Sequence, residues 1–452
     1  MLPPLLIPDE FQKIVKGLLG NESDEFFKSL LAPPPPGIRL NPQKKFQAEN
    51  ASPIPWAQHG KYLKERPVYT LDPALHAGAY YVQEPSSMFL EQAVIHSLDL
   101  GQPLTVLDLC AAPGGKSTHL LSLLSPDSLL VCNEAIRSRA SVLSENIQKW
   151  GHANALVCSN DPSRFPHLQG LFDLVVVDAP CSGEGLFRKD NEALREWSPA
   201  HVELCALRQR RILKEVWPAL KENGILVFCT CTYNALEDEG TMEWLGQAGD
   251  CEFMSIPLKK EWGIVETKSK NTVGYRFYPH KVKGEGFFLS VVRKKGRQDK
   301  VRFHNKEALG ERCKREEIKS WLTGPMPFRY VVNKGLAIAV PEAIHEVANG
   351  LAEMLNIVHF GIPMATDKRG KLVPQHSAAM SVHLNKENFA CYELSRAQAI
   401  GYLRKEPLEI NHSEKGFALF TYDGNPLGWA NLLPHRINNL YPSNWRIRMM
   451  PR

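Results

Sequence analysis

Residues 105–116, TVLDLCAAPGGK, limit what this chain can fold into more than any other stretch. Val106, Leu107 and Leu109 form a short apolar run that reads as a buried strand, and Ser117 to Leu121 read as the start of a helix. Between them lies a small turn with Gly114 and Gly115. A strand, a glycine turn and a helix bring backbone N–H groups and a helix N-terminus to one point, which suits a nucleotide or nucleoside-like ligand. The turn is neither the dinucleotide pattern G-x-G-x-x-G nor a P-loop, because Lys116 does not follow four free positions after a glycine. Taken alone, such a turn is as readily a plain chain reversal.

The following strands shift that balance. Leu129-Leu130-Val131-Cys132 ends in Asn133-Glu134, and Ala155-Leu156-Val157-Cys158 ends in Ser159-Asn160-Asp161. Leu174-Val175-Val176-Val177 ends in Asp178-Ala179-Pro180-Cys181. Parallel sheets place ligands at the carboxyl ends of their strands, so these polar ends are expected to converge, with Glu134 where a ribose diol is gripped. Any one of these acids would serve as a turn or cap residue; their arrival in phase points to a site.

At 452 residues the chain is long enough for about three domains. Hydrophobic residues at 43% and charged residues at 23% describe a globular protein, and a net charge of +5 is compatible with a polyanion partner. The sequence holds no apolar run of ~20 residues and its start does not fit a secretory signal, so no membrane span and a cytoplasmic location are expected. Ten cysteines without C-x-x-C pairs indicate reduced thiols rather than a disulfide scaffold, and no ligand spacing implies a metal.

Four regions follow: an appendage over 1–86, a catalytic domain over 87–296, a central α/β domain over 297–394, and a terminal β domain over 395–452. In the first, Phe11, Ile14, Val15, Leu18 and Leu19 share a helical face, Pro33 to Pro36 mark a linker, and Gly37 to Asn41 form a strand. His76 to Met88 leads into a helix at 87–98; Ser86 or Ser87 reads as its N-cap, the alternative being a segment folded over the pocket. Helices are expected at 116–125, 136–150, 191–221 and 235–247, and strands at 105–109, 128–133, 155–158, 173–178, 224–230 and 286–293. The last strand reads as an edge, and Arg293 to Arg297 as a solvated basic exit, the alternative being a phosphate contact. The alternation argues a mostly parallel sheet with helices on both faces.

Lys306 to Leu322 has helical spacing, and 330–340 reads as a hairpin about Asn333-Lys334-Gly335. Phe417 to Ala430 forms another hairpin around Asp423-Gly424-Asn425-Pro426. Beyond it, His435, Arg436, Asn438, Asn439, Tyr441, Trp445, Arg446, Arg448 and Arg452 interleave basic, amide and aromatic side chains in a way that suits RNA.

Two cysteines carry the chemistry. Cys181 follows Asp178-Ala179-Pro180, and Cys231 ends the strand that begins at Gly224. Two thiols at the ends of neighbouring strands beside one cofactor pocket suggest covalent catalysis, whereas Cys229, deeper in its strand, reads as packing. A thiol beside a methyl donor fits methylation of carbon 5 of cytosine. That carbon becomes nucleophilic only after a thiolate adds to C6; the C5 proton must then leave and the thiol be expelled. Such a scheme needs one nucleophilic cysteine, a carboxylate (Asp178) and a second group that assists release. The residues alone do not decide between the two thiols.

The series Asp108-Leu109-Cys110-Ala111-Ala112-Pro113-Gly114-Gly115-Lys116, Asn133-Glu134, Asp178-Ala179-Pro180-Cys181-Ser182-Gly183-Glu184-Gly185 and Thr230-Cys231-Thr232 resembles the Sun-type RNA cytosine-5 methyltransferases. Arg276 to His280, Gly284 to Phe288, and Asp423-Gly424 to Trp429 resemble the bacterial RsmF-like branch of that family. The resemblance implies a Rossmann-like methyltransferase sheet, an N-terminal RNA-binding appendage and a C-terminal PUA-like domain. It implies S-adenosyl-L-methionine as methyl donor. Cys110, Ala111, Ala112, Pro113, Gly114, Gly115 and Lys116 would cradle its methionine part, Glu134 its ribose and Asp161 its adenine. Asp178 would lie between cofactor and target base. The resemblance makes Cys231 the nucleophile and Cys181 the product-release thiol, whereas cytosine-5 DNA methyltransferases use a Pro-Cys nucleophile. It implies an RNA partner, ribosomal RNA of the small subunit, with Arg39, Lys189, Arg436 and Arg446 as RNA contacts and a monomeric enzyme. The alternatives are a transfer-RNA target and an RNA-binding assembly factor with a vestigial catalytic domain. Phe228-Cys229 departs from the Tyr-Ser that the family often carries before its Thr-Cys pair.

Overall fold

The computed structural model describes residues 7–248, 250–304 and 307–450. The appendage begins with helices α1 (Asp9–Leu19) and α2 (Ser23–Leu30). Phe11 and Val15 are buried, but Ile14 and Leu18 are 37% and 38% exposed, so the buried stripe is narrower than its sequence pattern. Phe11 meets Phe26, Phe187 and Trp197, which turns that edge of α1 onto the catalytic domain. Strands β1 (Gly37–Leu40), β2 (Ser52–Ile54) and β3 (Ala57–Tyr62), helix α3 (Pro73–His76) and strand β4 (Tyr80–Val82) complete it, with antiparallel order β2-β3-β1-β4.

Ahead of α4 (Leu90–Ile95) runs a 3-10 turn, Ser86–Phe89, and neither serine caps it. The Glu84 carboxylate does, accepting the N–H groups of Ser86 and Ser87 at 2.8 Å each, because a charged acceptor holds two free donors better than a hydroxyl. Ser86 Oγ is turned elsewhere and donates to the Glu285 carbonyl at 2.9 Å.

The catalytic domain holds β5 (Thr105–Asp108), α5 (Gly115–Leu123), β6 (Leu129–Asn133), α6 (Arg137–Trp150), β7 (Ala155–Cys158) and β8 (Phe172–Asp178). After these come α7 (Asn191–Glu196), α8 (Pro199–Val216), β9 (Leu220–Thr230), α9 (Glu239–Ala248), β10 (Cys251–Phe253), β11 (Val265–Ser269), β12 (Thr272–Phe277) and β13 (Phe287–Lys294). The parallel strands run β7-β6-β5-β8-β9, so the order reverses between β5 and β8, where open α/β sheets bind ligands. Val106, Leu130, Val157, Leu174 and Val227 pack one layer, and Leu107, Val131, Leu156, Val175 and Leu226 the other, as strands buried on both faces require.

Three expectations change here. The helix over 191–221 is two helices, because Ser198 caps a new start and Pro199 opens it. The strand over 286–293 is internal: β13 runs antiparallel to β9, and its other side pairs with β12 and β10. The basic exit is not solvated throughout, since Lys294 is buried and its Nζ donates to the carbonyls of Trp217 and Leu220 and to Gln298.

The central region holds β14 (Glu311–Arg312), β15 (Phe328–Asn333), β16 (Leu336–Pro341), α10 (Glu342–Met354), β17 (Ile357–Phe360), β18 (Ile362–Lys368), β19 (Lys371–Pro374) and α11 (His376–Met380). The helix expected from Lys306 to Leu322 is not formed over 307–322; Lys306 itself lies outside the described residues. Gly310, at φ +127°, turns the chain into β14, and only Glu316–Trp321 makes a short 3-10 stretch. The β15–β16 hairpin turns at Lys334-Gly335, both with positive φ. β17 leaves this region and pairs antiparallel with β7, extending the catalytic sheet.

The terminal domain is β20 (Ala390–Glu393), α12 (Arg396–Arg404), β21 (Gly416–Tyr422), β22 (Asn425–Leu433) and β23 (Arg436–Asn439), in the order β20-β21-β22-β23. Asn425 in its hairpin donates to the Lys45 carbonyl at 2.6 Å and accepts from the Lys45 N–H at 3.1 Å, tying this domain to the appendage. Arg452 lies outside the described residues.

Candidate active site

The loop after β5 is held by the ends of its neighbours. The Leu109 N–H donates to the Val176 carbonyl at 2.9 Å, and the Ala111 N–H to the Asn133 carbonyl at 2.8 Å. Asn133 locks three strand ends together: its amide donates to the carbonyls of Leu109 and Asn160, and its oxygen accepts the Asn160 N–H. Asn146 donates to the Pro113 carbonyl at 2.8 Å and Arg139 to that of Ala112 at 2.9 Å. Gly114, at φ +116°, turns the chain into α5 in a conformation that a side chain would strain.

Acids ring this loop. Asp108 is fully buried; one oxygen accepts from Ser117 at 2.6 Å and the other has no partner. Burial pushes its carboxyl up to about 7. Glu134 is buried, accepts the Ile136 N–H at 2.9 Å and lies 3.4 Å from Arg139. Asp161 stands on the rim, more than half exposed, paired with Arg211 at 2.9 Å. The sequence reading named Asn133 only as the strand end beside Glu134, without a role, and did not single out Arg139. The signal for Arg139 was a pair of cations, Arg137 and Arg139, opening the helix after Glu134, and Asn133 adjoined that acid.

At the β8 end, Lys116 and Asp178 form an ion pair at 2.7 Å, with Lys116 almost buried and Asp178 37% exposed. Burial favours loss of the Lys116 proton, but Asp178 outweighs it and the pKa ends raised. The Ala179 N–H donates to the Cys229 carbonyl at 2.9 Å, so the chain beyond Asp178 runs beside the end of β9. This brings the sulfurs of Cys181 and Cys231 to 3.1 Å, with the Cys231 N–H also donating to Cys181 Sγ at 3.3 Å. The bond to Cys231, burial and the nearby charge of Glu237 raise the Cys181 pKa well above the usual thiol value. Both thiols are partly exposed, whereas Cys229 is buried in the core.

The segment before α4 packs on the same site: a Cβ on Gly115 would touch Tyr81 at 3.4 Å. Of the cations read as RNA contacts, Lys189, Arg436 and Arg446 are exposed. Arg39 is not available: it is 1% exposed, donates to Gln83, Ser122, Thr118 and the Gly115 carbonyl, and stacks on Trp150 at 4.6 Å. It staples β1 to α5, a role invisible to a reading that puts arginines on the surface.

Comparison with known proteins places this site in a family. Residues 7–85 match the N-terminal domain of 16S rRNA methyltransferase RsmF, 95–293 match 16S rRNA methyltransferase RsmB/F, and 389–447 match the methyltransferase RsmF PUA domain. The chain is 30% identical to a ribosomal RNA small subunit methyltransferase F of Photobacterium profundum, with 98% of each chain covered. The chain belongs to the RsmF methyltransferase family. A second RsmF-family relative, from Aliivibrio fischeri, is also 30% identical, over 97% of each chain. A crystal structure of a methyltransferase homolog protein from Pyrococcus horikoshii matches with TM-score 0.55 and 25% identity, covering 64% of this chain and 96% of that one. The RsmF-family chain described here is therefore a methyltransferase with the α/β sheet and PUA-type terminal domain of its relatives.

Proposed function

We propose that the protein methylates carbon 5 of a cytosine in small-subunit ribosomal RNA, using S-adenosylmethionine and a covalent bond from Cys231 to C6. The observation that carries this reading is the pair of sulfurs 3.1 Å apart beside the Lys116–Asp178 ion pair, at the switch point of a methyltransferase sheet. The names of the full-length relatives, ribosomal RNA small subunit methyltransferase F, support the substrate class.

The residues present fit the donor. A buried Asp108 oxygen without a partner, the buried Glu134 and a glycine at positive φ make a polar cradle for an aminoacyl nucleoside. Cys110 to Lys116 would hold its methionine part, Glu134 its ribose and Asp161 its adenine. When bound, it supplies an electrophilic methyl group. Cys231, 3.1 Å from Cys181, adds as thiolate to C6 and opens the C5–C6 double bond. Asp178, held by Lys116, steadies the protonated pyrimidine during that addition. Once C5 carries its methyl, Asp178 takes the C5 proton as base, the C6–S bond breaks with its electron pair returning to sulfur, and the C5–C6 double bond re-forms. Cys181, against the departing sulfur, assists that release. The cytosine must be unstacked for a thiol to reach C6, and Lys189, Arg436 and Arg446 would meet RNA phosphates.

The test is a covalent trap with the protein, S-adenosylmethionine and small-subunit RNA carrying 5-fluorocytosine, whose C5 has no proton to lose. An adduct on a denaturing gel that disappears only in Cys231→Ala supports the assignment. Loss only in Cys181→Ala reverses the two thiols. No adduct in any lane, with RNA binding intact, turns the reading to an RNA-binding assembly factor.

A further inference from the structure

Behind the two thiols lies a buried polar network that takes no step in the chemistry above, Glu237 entering it only as a charge near Cys181. Glu184, fully buried, accepts five hydrogen bonds. One oxygen takes the Thr232 hydroxyl at 2.6 Å and the N–H groups of Tyr233 and Asn234 at 2.8 and 2.9 Å. The other takes the Trp197 indole at 2.9 Å and the Asn234 amide at 3.0 Å. Glu237, also fully buried, accepts the Ser182 N–H at 3.0 Å and the Gln209 amide at 2.8 Å. The same Gln209 amide reaches the Pro180 carbonyl at 3.2 Å. Asn234 joins the two acids, donating to Glu237 at 2.7 Å as well as to Glu184, and accepting the Glu237 N–H at 2.9 Å.

The partners are not scattered. Pro180 and Ser182 flank Cys181, and Thr232, Tyr233 and Asn234 follow Cys231. Glu184 rises from the Cys181 loop yet grips the chain after Cys231; Glu237 rises from the chain after Cys231 yet grips the Cys181 loop. The backbones also cross directly, the Gly185 N–H donating to the Cys231 carbonyl at 2.9 Å. A Cβ on Gly185 would lie 2.5 Å from the Gly286 carbonyl oxygen and 3.0 Å from that of Cys231, so the approach admits glycine alone. Two acids in a dry place are costly to keep, and an apolar core would hold two loops together at lower cost. What carboxylates add is direction: each fixes several donors at set angles, and therefore the two sulfurs.

We infer that Glu184, Asn234 and Glu237 form a reciprocal clamp that sets the separation and orientation of Cys181 and Cys231, which makes them positioning residues. The inference rests on the covalent reading above for its purpose, but its geometry is testable without RNA.

The experiment measures site-resolved alkylation of the full-length protein by iodoacetamide across pH 6–10, followed by mass spectrometry, beside kcat and KM for methyl transfer. In the wild type, Cys231 is expected to react about tenfold faster than Cys181 near neutral pH. Glu237→Gln removes one acceptor at constant size. It should bring the two alkylation rates within about threefold and lower kcat about 100-fold, with KM for S-adenosylmethionine within about twofold. Thr232→Val, which deletes one donor to Glu184, should act in the same direction, and Thr232→Ser, which restores the hydroxyl, should recover most of the loss. If Glu237→Gln fails to fold, the Thr232 pair decides. Wild-type alkylation contrast and kcat within threefold in Thr232→Val and in folded Glu237→Gln would overturn the clamp. Failure of the covalent reading shows separately, as methyl transfer retained by Cys231→Ala, while the alkylation profile still reports on the clamp.

Discussion

The loop after β5 and the thiol loops after β8 and β9 face the same crevice, yet their polar groups are finished differently. Around the glycine loop, backbone and amide bonds hold the chain, and one oxygen of the buried Asp108 is left without a partner. Around the thiols, Glu184 and Glu237 are bonded to donors on both oxygens, and the sulfurs touch each other. A site that awaits a polar ligand keeps a carboxylate oxygen in reserve; a site that must aim its own atoms ties its buried carboxylates on both oxygens.

The sharpest way to break this contrast is at the thiol end. Cys231→Ala should lower methyl transfer by about 10⁴-fold or more while leaving S-adenosylmethionine binding by calorimetry within about twofold. An equal loss of cofactor binding would show that the two ends are one unit. Next in size is Arg39, whose guanidinium holds carbonyls at the start of α5 under the glycine loop. Arg39→Met should destabilise by about 3 kcal/mol in urea unfolding, because it takes the Arg39 donor from the buried Gln83 oxygen and one donor from each of those carbonyls. RNA affinity of the folded variant should stay unchanged.

Asp108 gives a pH signature to the cofactor end. Its carboxyl is raised in the folded protein, so folding favours the protonated form. The stability this gives is fully present below pH 4 and is lost as pH rises through about 7. Asp108→Asn should therefore flatten the pH dependence between pH 4 and about 7, and exceed the wild type above it by on the order of 2 kcal/mol. It should also weaken cofactor binding if the free oxygen is the reserved group. The smallest effect belongs to the exposed Lys189, just beyond the thiol loop. Lys189→Ala should weaken RNA binding about threefold and reduce the salt slope by about one, with the thiol alkylation profile unchanged.

Strands β5 to β9 and the meeting of their ends were legible because runs buried on both faces need no alternation and stop at polar residues. The thiols were legible as strand-end residues, though their separation was not. What escaped depends on contacts far apart in sequence. Arg39 finds its acceptors about 40 and 80 residues away, and a charge pattern alone places it at the surface. The inner place of β13 needed β10 and β12, and β10 is too short to show a period. Glu84 took the capping role from two serines because only the folded chain shows which acceptor faces the free N–H groups.

The pairing of β17 with β7 sets a timetable for synthesis. The outer edge of β7 has no cover until residues 357–360 leave the ribosome, although the strand itself is made much earlier. At usual elongation rates that interval is roughly 10–40 s, during which an apolar strand edge stands open to other nascent chains. A chain stopped before β17 would hold both thiols and the glycine loop and still present that edge, so a strand from the last third of the protein is also the seal on the catalytic sheet.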